Sequence, residues 1–204
     1  MGRKPLNKAR KKDPETQANW VAMLSPHFLD GSLSKATIQE IADILSVSKA
    51  TLYKHFSSKQ EILEAVVSTR VEKIIQCSQV LQKKEIPYRD RLEESVSMII
   101  ESLAGISNQF LFDLKNWHPN LWMMVEQLHQ AVITDLEVFY QEGKKSGILN
   151  DLDTRLLALT DLVFIRNFSD PQFLMDNQLN LESAISGYFK LKKEGLFKSN
   201  HSDE

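Results

Sequence analysis

Residues 46–61 read SVSKATLYKHFSSKQE, a polar stretch whose only large apolar side chains are Val47, Leu52, Tyr53 and Phe56. Around these stand Lys49, Lys54, His55 and Lys59, groups that hydrogen-bond to anions. With Leu52 set as the buried direction of a helix, about 100° per residue brings Phe56 beside it and turns Ala50 and Lys54 straight outward. A small residue and a lysine at that apex leave room for base edges: Ala50 for a thymine methyl, Lys54 for guanine acceptors. Thr51 can bond a base or a phosphate. Tyr53 and His55 carry polar tips suited to phosphate oxygens, and Lys49 lies nearer the body. This chemistry grips a polyanion. The same wheel also describes an amphipathic hairpin with a solvated polar face, and the pattern alone leaves both open.

The surrounding elements must position that helix. Thr37-Ile38-Gln39-Glu40 has the form of a capping box, and Ile38, Ile41, Ala42 and Leu45 follow on one face. A tight Ser46-Val47 connection leads to Ser48, which can cap a helix ending near Phe56. This is the layout of a helix-turn-helix, whose second helix enters the major groove. Ser58-x-x-Glu61 opens a long helix with Ile62, Val66 and Ile74 inward, ended by Lys83-Lys84 and Pro87. Lys59 at its start, and Lys35 with Thr37 at the start of the earlier helix, are expected phosphate anchors. Before them, Trp20, Val21, Leu24 and Phe28 mark a first helix, and Pro26 predicts a kink or break within it.

Thr37-Ile38-Gln39-Glu40-Ile41-Ala42, followed by Val47 through Leu63 (VSKATLYKHFSSKQEIL), closely resembles the TetR/AcrR family of bacterial transcriptional regulators. The shared pattern is an Ile-Ala pair, a Gly-Val-Ser turn, Thr-Leu-Tyr, His-Phe and a Ser-Lys-Glu-like helix start, over about 30 residues. Two positions depart: the family's turn glycine is Ser46, and its frequent glycine before Thr-Leu-Tyr is Ala50. If Ser46 keeps the left-handed backbone of that glycine, the cost is up to ~1 kcal/mol. The resemblance implies double-stranded DNA as partner, and a C-terminal domain that dimerises and holds a ligand.

The rest of the chain fits an all-α protein of about nine helices, since no alternating strand pattern is present. We divide it into a basic arm (1–12), a helix-turn-helix domain (13–60), a helical regulatory and dimerisation domain (61–198) and a polar tail (199–204). The arm carries six cations and no acid, whereas the net charge of the chain is −2; it could track phosphates or a minor groove. One cysteine, Cys77, rules out an internal disulfide and fits a reducing cytosol. No apolar run reaches membrane-spanning length, and the basic N-terminus lacks the apolar segment of a secretory signal.

Phe110, Phe112, Trp117, Trp122, Met123 and Met124 crowd a short interval, with Phe139 and Tyr140 further on, and suit an adaptable apolar cavity with His118, Asn116 or His129 as polar contacts. Plain core packing is the competing reading. Leu156, Leu159 and Val163, with Ile185, Tyr188 and Phe189, stripe two late helices. The first of these is apolar on more than one side, which favours a two-fold homodimer through a four-helix contact. His118 and His129 are eleven apart with no cysteine nearby, so no metal is expected, and no cofactor. No nucleophile–base pair or Gly-rich phosphate loop points to an enzyme. The sequence therefore predicts a DNA-binding regulator, a repressor released by a small apolar or aromatic effector; the alternative is a regulator with a closed core and no effector.

Overall fold

The computed structural model describes residues 13–32 and 35–196. The basic arm and the tail 199–204 lie outside them. The described residues form ten α-helices, one 3-10 turn and no strand.

Helix α1 (Pro14–Leu29) is capped by Asp13, whose carboxylate accepts from the Thr16 N–H, and it runs unbroken through Pro26. The expected break does not occur because Pro26 stands in the last turn. Its missing donor removes one bond there, while its carbonyl still takes the Asp30 N–H at 3.0 Å. Helix α2 (Ile38–Ile44) starts on a complete Thr37–Glu40 capping box. Ser46 then sits at φ 55, so it holds the left-handed turn that glycine fills in the family it resembles. Helix α3 (Lys49–Leu52) is capped by Ser48. Helical turns carry the chain on to Phe56, whose N–H bonds the Leu52 carbonyl at 3.0 Å. Leu52 and Phe56 are buried as the wheel requires, in one core with Leu24, Ile41 and Ile62.

Helix α4 (Lys59–Ser78) is shared by both halves of the molecule. It packs on α1 and also on α5 (Tyr88–Leu103) and α7 (Pro119–Lys145). Between α5 and α7 lies α6 (Asn108–Trp117). The chain continues through α8 (Thr154–Ser169), α9 (Pro171–Asp176) and α10 (Leu181–Leu196). Helix α9 is the element absent from the expected count. It forms because Asp170 accepts from the N–H groups of Gln172 and Phe173 while Pro171 takes the first position.

Two buried polar clusters lock the body. Arg91, nearly inaccessible, donates to the Leu81 carbonyl at 3.0 Å and to Glu142 at 2.7 Å. Its hydrogen bond, aided by Lys84, holds the Glu142 carboxyl down at about 2. Alongside, the Tyr88 ring stacks on Phe139 at 4.2 Å and its hydroxyl donates to the Phe139 carbonyl. Gly143 makes room for that hydroxyl, which a Cβ would strike. On the other side of α7, fully buried Asp161 accepts from Tyr140 at 2.7 Å, from Tyr188 at 2.6 Å and from the Lys192 ammonium.

Ser46 is exposed. Ser46→Gly is expected to raise the melting temperature by roughly 2–3 °C, the equivalent of up to ~1 kcal/mol. Thermal denaturation followed by circular dichroism checks this; an unchanged or lowered midpoint would show that the turn carries no strain.

Candidate nucleic-acid interface and ligand cavity

Lys49, Ala50, Tyr53 and Lys54 are all exposed on one face, the Tyr53 ring at 52%. Thr51 is half-buried, and its hydroxyl pairs with that of the cap Ser48 at 2.9 Å, so the two oxygens form one polar corner at the start of α3. Lys35 and Thr37 are exposed beside them. Two expected contacts are placed differently. His55 turns toward α1: its ring meets Trp20 edge-on at 4.7 Å, its Nδ1 is buried, and its carbonyl accepts from Gln17. Lys59 is half-buried and donates to the Ala36 carbonyl at 2.9 Å. Both side chains tie the helix-turn-helix together, and neither points outward as a phosphate contact would.

A cavity of about 100 Å³ lies in the body, walled by α4, α5, α6, α7, α8 and α10 with Leu29 at the end of α1. Its lining is aliphatic: Val67, Ile74, Leu103, Leu128 and Val132 are typical, with Phe110 and Phe189. Arg70, His129 and Ser169 are its polar members. Of the aromatic and methionine residues expected to build a pocket, Phe110 alone lines this one. Phe139 is fully buried, but in the Tyr88 stack. Met123 and Trp117 are exposed at 54% and 71%, because the α6–α7 turn leaves them outside the packed faces. Trp122 lies under the Lys115 ammonium, and Phe112 is half-buried elsewhere. His118 and Trp117 line a separate cleft of about 350 Å³, with Lys35 and Lys59, at the junction of α4 and α6. Residue types gave the density of large side chains but not their direction. The aliphatic i, i+3, i+4 run Val67, Arg70, Val71, Ile74 on α4, interrupted by one charge, is the signal that could have marked the true wall.

The dimer stripe divides in the same way. Leu156, Leu159 and Val163 project from α8 with 63%, 50% and 58% of their surfaces exposed. Tyr188 is half-buried, and its ring stacks on Phe164 at 4.5 Å. Ile185 and Phe189, expected on the same stripe, face inward and line the cavity; on α10 the exposed apolar side chain is Leu191 at 75%. The four members of the buried Asp161 cluster line neither the cavity nor the cleft. Among the described residues no group of three or more His, Cys, Asp and Glu side chains could hold a metal, and no helix is long and apolar enough to cross a membrane.

The family model for bacterial regulatory proteins of the tetR family matches residues 28–66, the segment that holds α2, α3 and the start of α4. Residues 28–66 therefore carry the DNA-binding segment of the tetR family. Among similar proteins, the HTH-type transcriptional activator FasR of Mycolicibacterium smegmatis is 25% identical over 89% of this chain and 83% of its own. The negative regulator of the biofilm operon icaADBC in Staphylococcus aureus, IcaR, is 22% identical over 72% of this chain and 80% of its own. A transcriptional regulator from Saccharomonospora viridis, crystallised with choline, shares the fold with a TM-score of 0.68 at 15% identity. That match covers 92% of this chain and 100% of the other. The chain thus joins a tetR-type DNA-binding segment to a fold shared with solved regulators.

His129 is a buried titratable group that bears on pH. Burial pushes its imidazole down to about 4, so it stays neutral in the fold while the unfolded chain takes up a proton near 6.5. Its contribution is therefore fully present above about pH 6.5 and is lost as pH falls from there toward 4. Roughly 2 kcal/mol should disappear between pH 7.5 and 5.0. Urea denaturation at the two pH values checks this. His129→Leu should flatten the loss, and an equal loss in the variant would assign it to other groups.

Proposed function

We propose that this chain is a homodimeric repressor that docks α3 in the major groove and is released when a small apolar effector fills the body cavity. One observation carries the reading: α4 packs on α1 at one end, and further along it supplies Val67, Arg70, Val71 and Ile74 to the cavity wall. A ligand that prefers a wider cavity shifts α4, and with it the spacing of the two recognition helices. Only a difference in affinity between the two arrangements can release DNA. The cavity supports this over a closed core without effector. The exposed apolar stripe of α8 supports the dimer, which would place two α3 helices on successive grooves, roughly 34–36 Å apart. Repression is the sign we adopt, by analogy with IcaR, although FasR shows that a similar protein can activate.

Ala50 and Lys54 read bases in this proposal, while Lys49, Thr51 and Tyr53 hold phosphates. Lys35, Thr37 and Ser48 flank that surface. The basic arm, residues 1–12, adds further phosphate contacts.

Fluorescence anisotropy with DNA from the neighbouring intergenic regions tests the proposal. Tight, salt-sensitive binding to one segment is expected, and Lys54→Ala should weaken it roughly 5- to 100-fold. Leu159→Glu combined with Val163→Glu should give a monomer that no longer binds. Failure to bind any such segment, or full binding by the monomeric variant, would contradict the proposal.

A further inference from the structure

The cavity is apolar except for Arg70, His129 and Ser169. The Ser169 hydroxyl is already committed, donating to the Ile165 carbonyl at 2.9 Å. His129 is 4% exposed, and its Nδ1 is buried without a hydrogen-bond partner. Arg70 is half-buried, and one of its five donors goes to a neutral acceptor, the Ser102 carbonyl in the last turn of α5, at 2.7 Å. No carboxylate pairs with it among the described residues, and no acidic side chain lines the cavity. Burial lowers its pKa with no neighbouring charge to offset the effect. Guanidinium groups taken from water ordinarily keep a carboxylate or phosphate beside them, and buried imidazoles ordinarily keep a hydrogen bond. Here an apolar chamber carries both groups unmatched.

We infer that the effector is a small organic acid, its carboxylate held by Arg70 with a hydrogen bond from His129 and its apolar body held among Val67, Leu128, Val132 and Phe189. This inference rests on the effector reading above and names the chemical class that the cavity selects. A cation is disfavoured, because it would meet the Arg70 charge with no acid to balance it. A neutral hydrocarbon leaves both polar groups as they are. The size is bounded as well: an apolar cavity of ~150 Å³ holds benzene, so about 100 Å³ admits a short branched chain, or a single ring if the walls give slightly. Arg70 stands on α4 and currently grips the end of α5. A carboxylate that draws the guanidinium from Ser102 loosens α4 from α5, which is the motion DNA release requires.

Isothermal titration of the full chain with benzoate and hexanoate, against benzyl alcohol and hexanol as neutral counterparts, tests the inference. The acids should bind roughly 10- to 100-fold more tightly than the alcohols, the range expected of a hydrogen-bonded charge. Arg70→Gln should erase that preference while leaving alcohol binding within about twofold, and Arg70→Lys should keep part of it. Val132→Trp, which fills the chamber, should abolish binding of all four probes. Equal binding of acids and alcohols, blocked by Val132→Trp, would overturn the carboxylate inference and leave the effector site standing. Absence of binding by every probe, or binding indifferent to Val132→Trp, would overturn both.

Discussion

The fold depends on one helix burying two different surfaces at once. The first turns of α4 pack Ile62, Leu63 and Val66 into the helix-turn-helix core, and its later turns pack Ile74 and Cys77 into the body. The boundary drawn at residue 60 therefore falls within its first turn, and the two domains share α4. A rigid element clamped at both ends cannot answer a change in one core without a response in the other, because packed interiors resist continuous deformation. Lys59, reaching across to the Ala36 carbonyl, fixes the upper clamp. Arg70, bonded to the end of α5, fixes the lower one. The cavity opens beside the second clamp.

Elsewhere the body is stiffened by buried polar groups that are matched. Asp161 satisfies two tyrosines and a lysine, and Arg91 satisfies Glu142 and a backbone carbonyl. Removing one partner from such a cluster strands a buried charge, so these contacts fix α7, α8 and α10 in register. The contrast with Arg70 and His129 is informative. Among the described residues Arg70 has a backbone carbonyl but no acidic partner, His129 leaves its Nδ1 without one, and both stand beside the cavity.

The helix-turn-helix was legible in the sequence because its signals are local. Serine and threonine caps, Leu52 and Phe56 one turn apart and the turn at Ser46 each act within a few residues, and the structure places all of them as the wheel requires. His55 and Lys59 were misdirected because their partners, Trp20 and the Ala36 carbonyl, come from distant chain positions that the local pattern does not register. The cavity was harder still. Aromatic density suggested Trp117, Met123 and Phe139, but a stack with Tyr88 consumed Phe139, and the α6–α7 turn put the other two outside. Its true walls are ordinary aliphatic faces of several helices, which in sequence look the same whether they meet or leave a gap. The Ile185 and Phe189 side chains followed the same rule, since rotation of α10 about its axis decides which stripe is interior.

The central claim is that filling the cavity moves the DNA-reading helices through α4. Spin labels at Gln60, an exposed position on the first turn of α4, report the separation of the two helix starts in the proposed dimer by pulsed electron resonance. With the cavity saturated by hexanoate the distance distribution should shift by several ångströms from that of the free dimer, a displacement of the order known for helix shifts and hinge motions in such switches. An identical distribution with and without the occupant would contradict the claim, because the cavity would then be filled without moving the elements that read DNA.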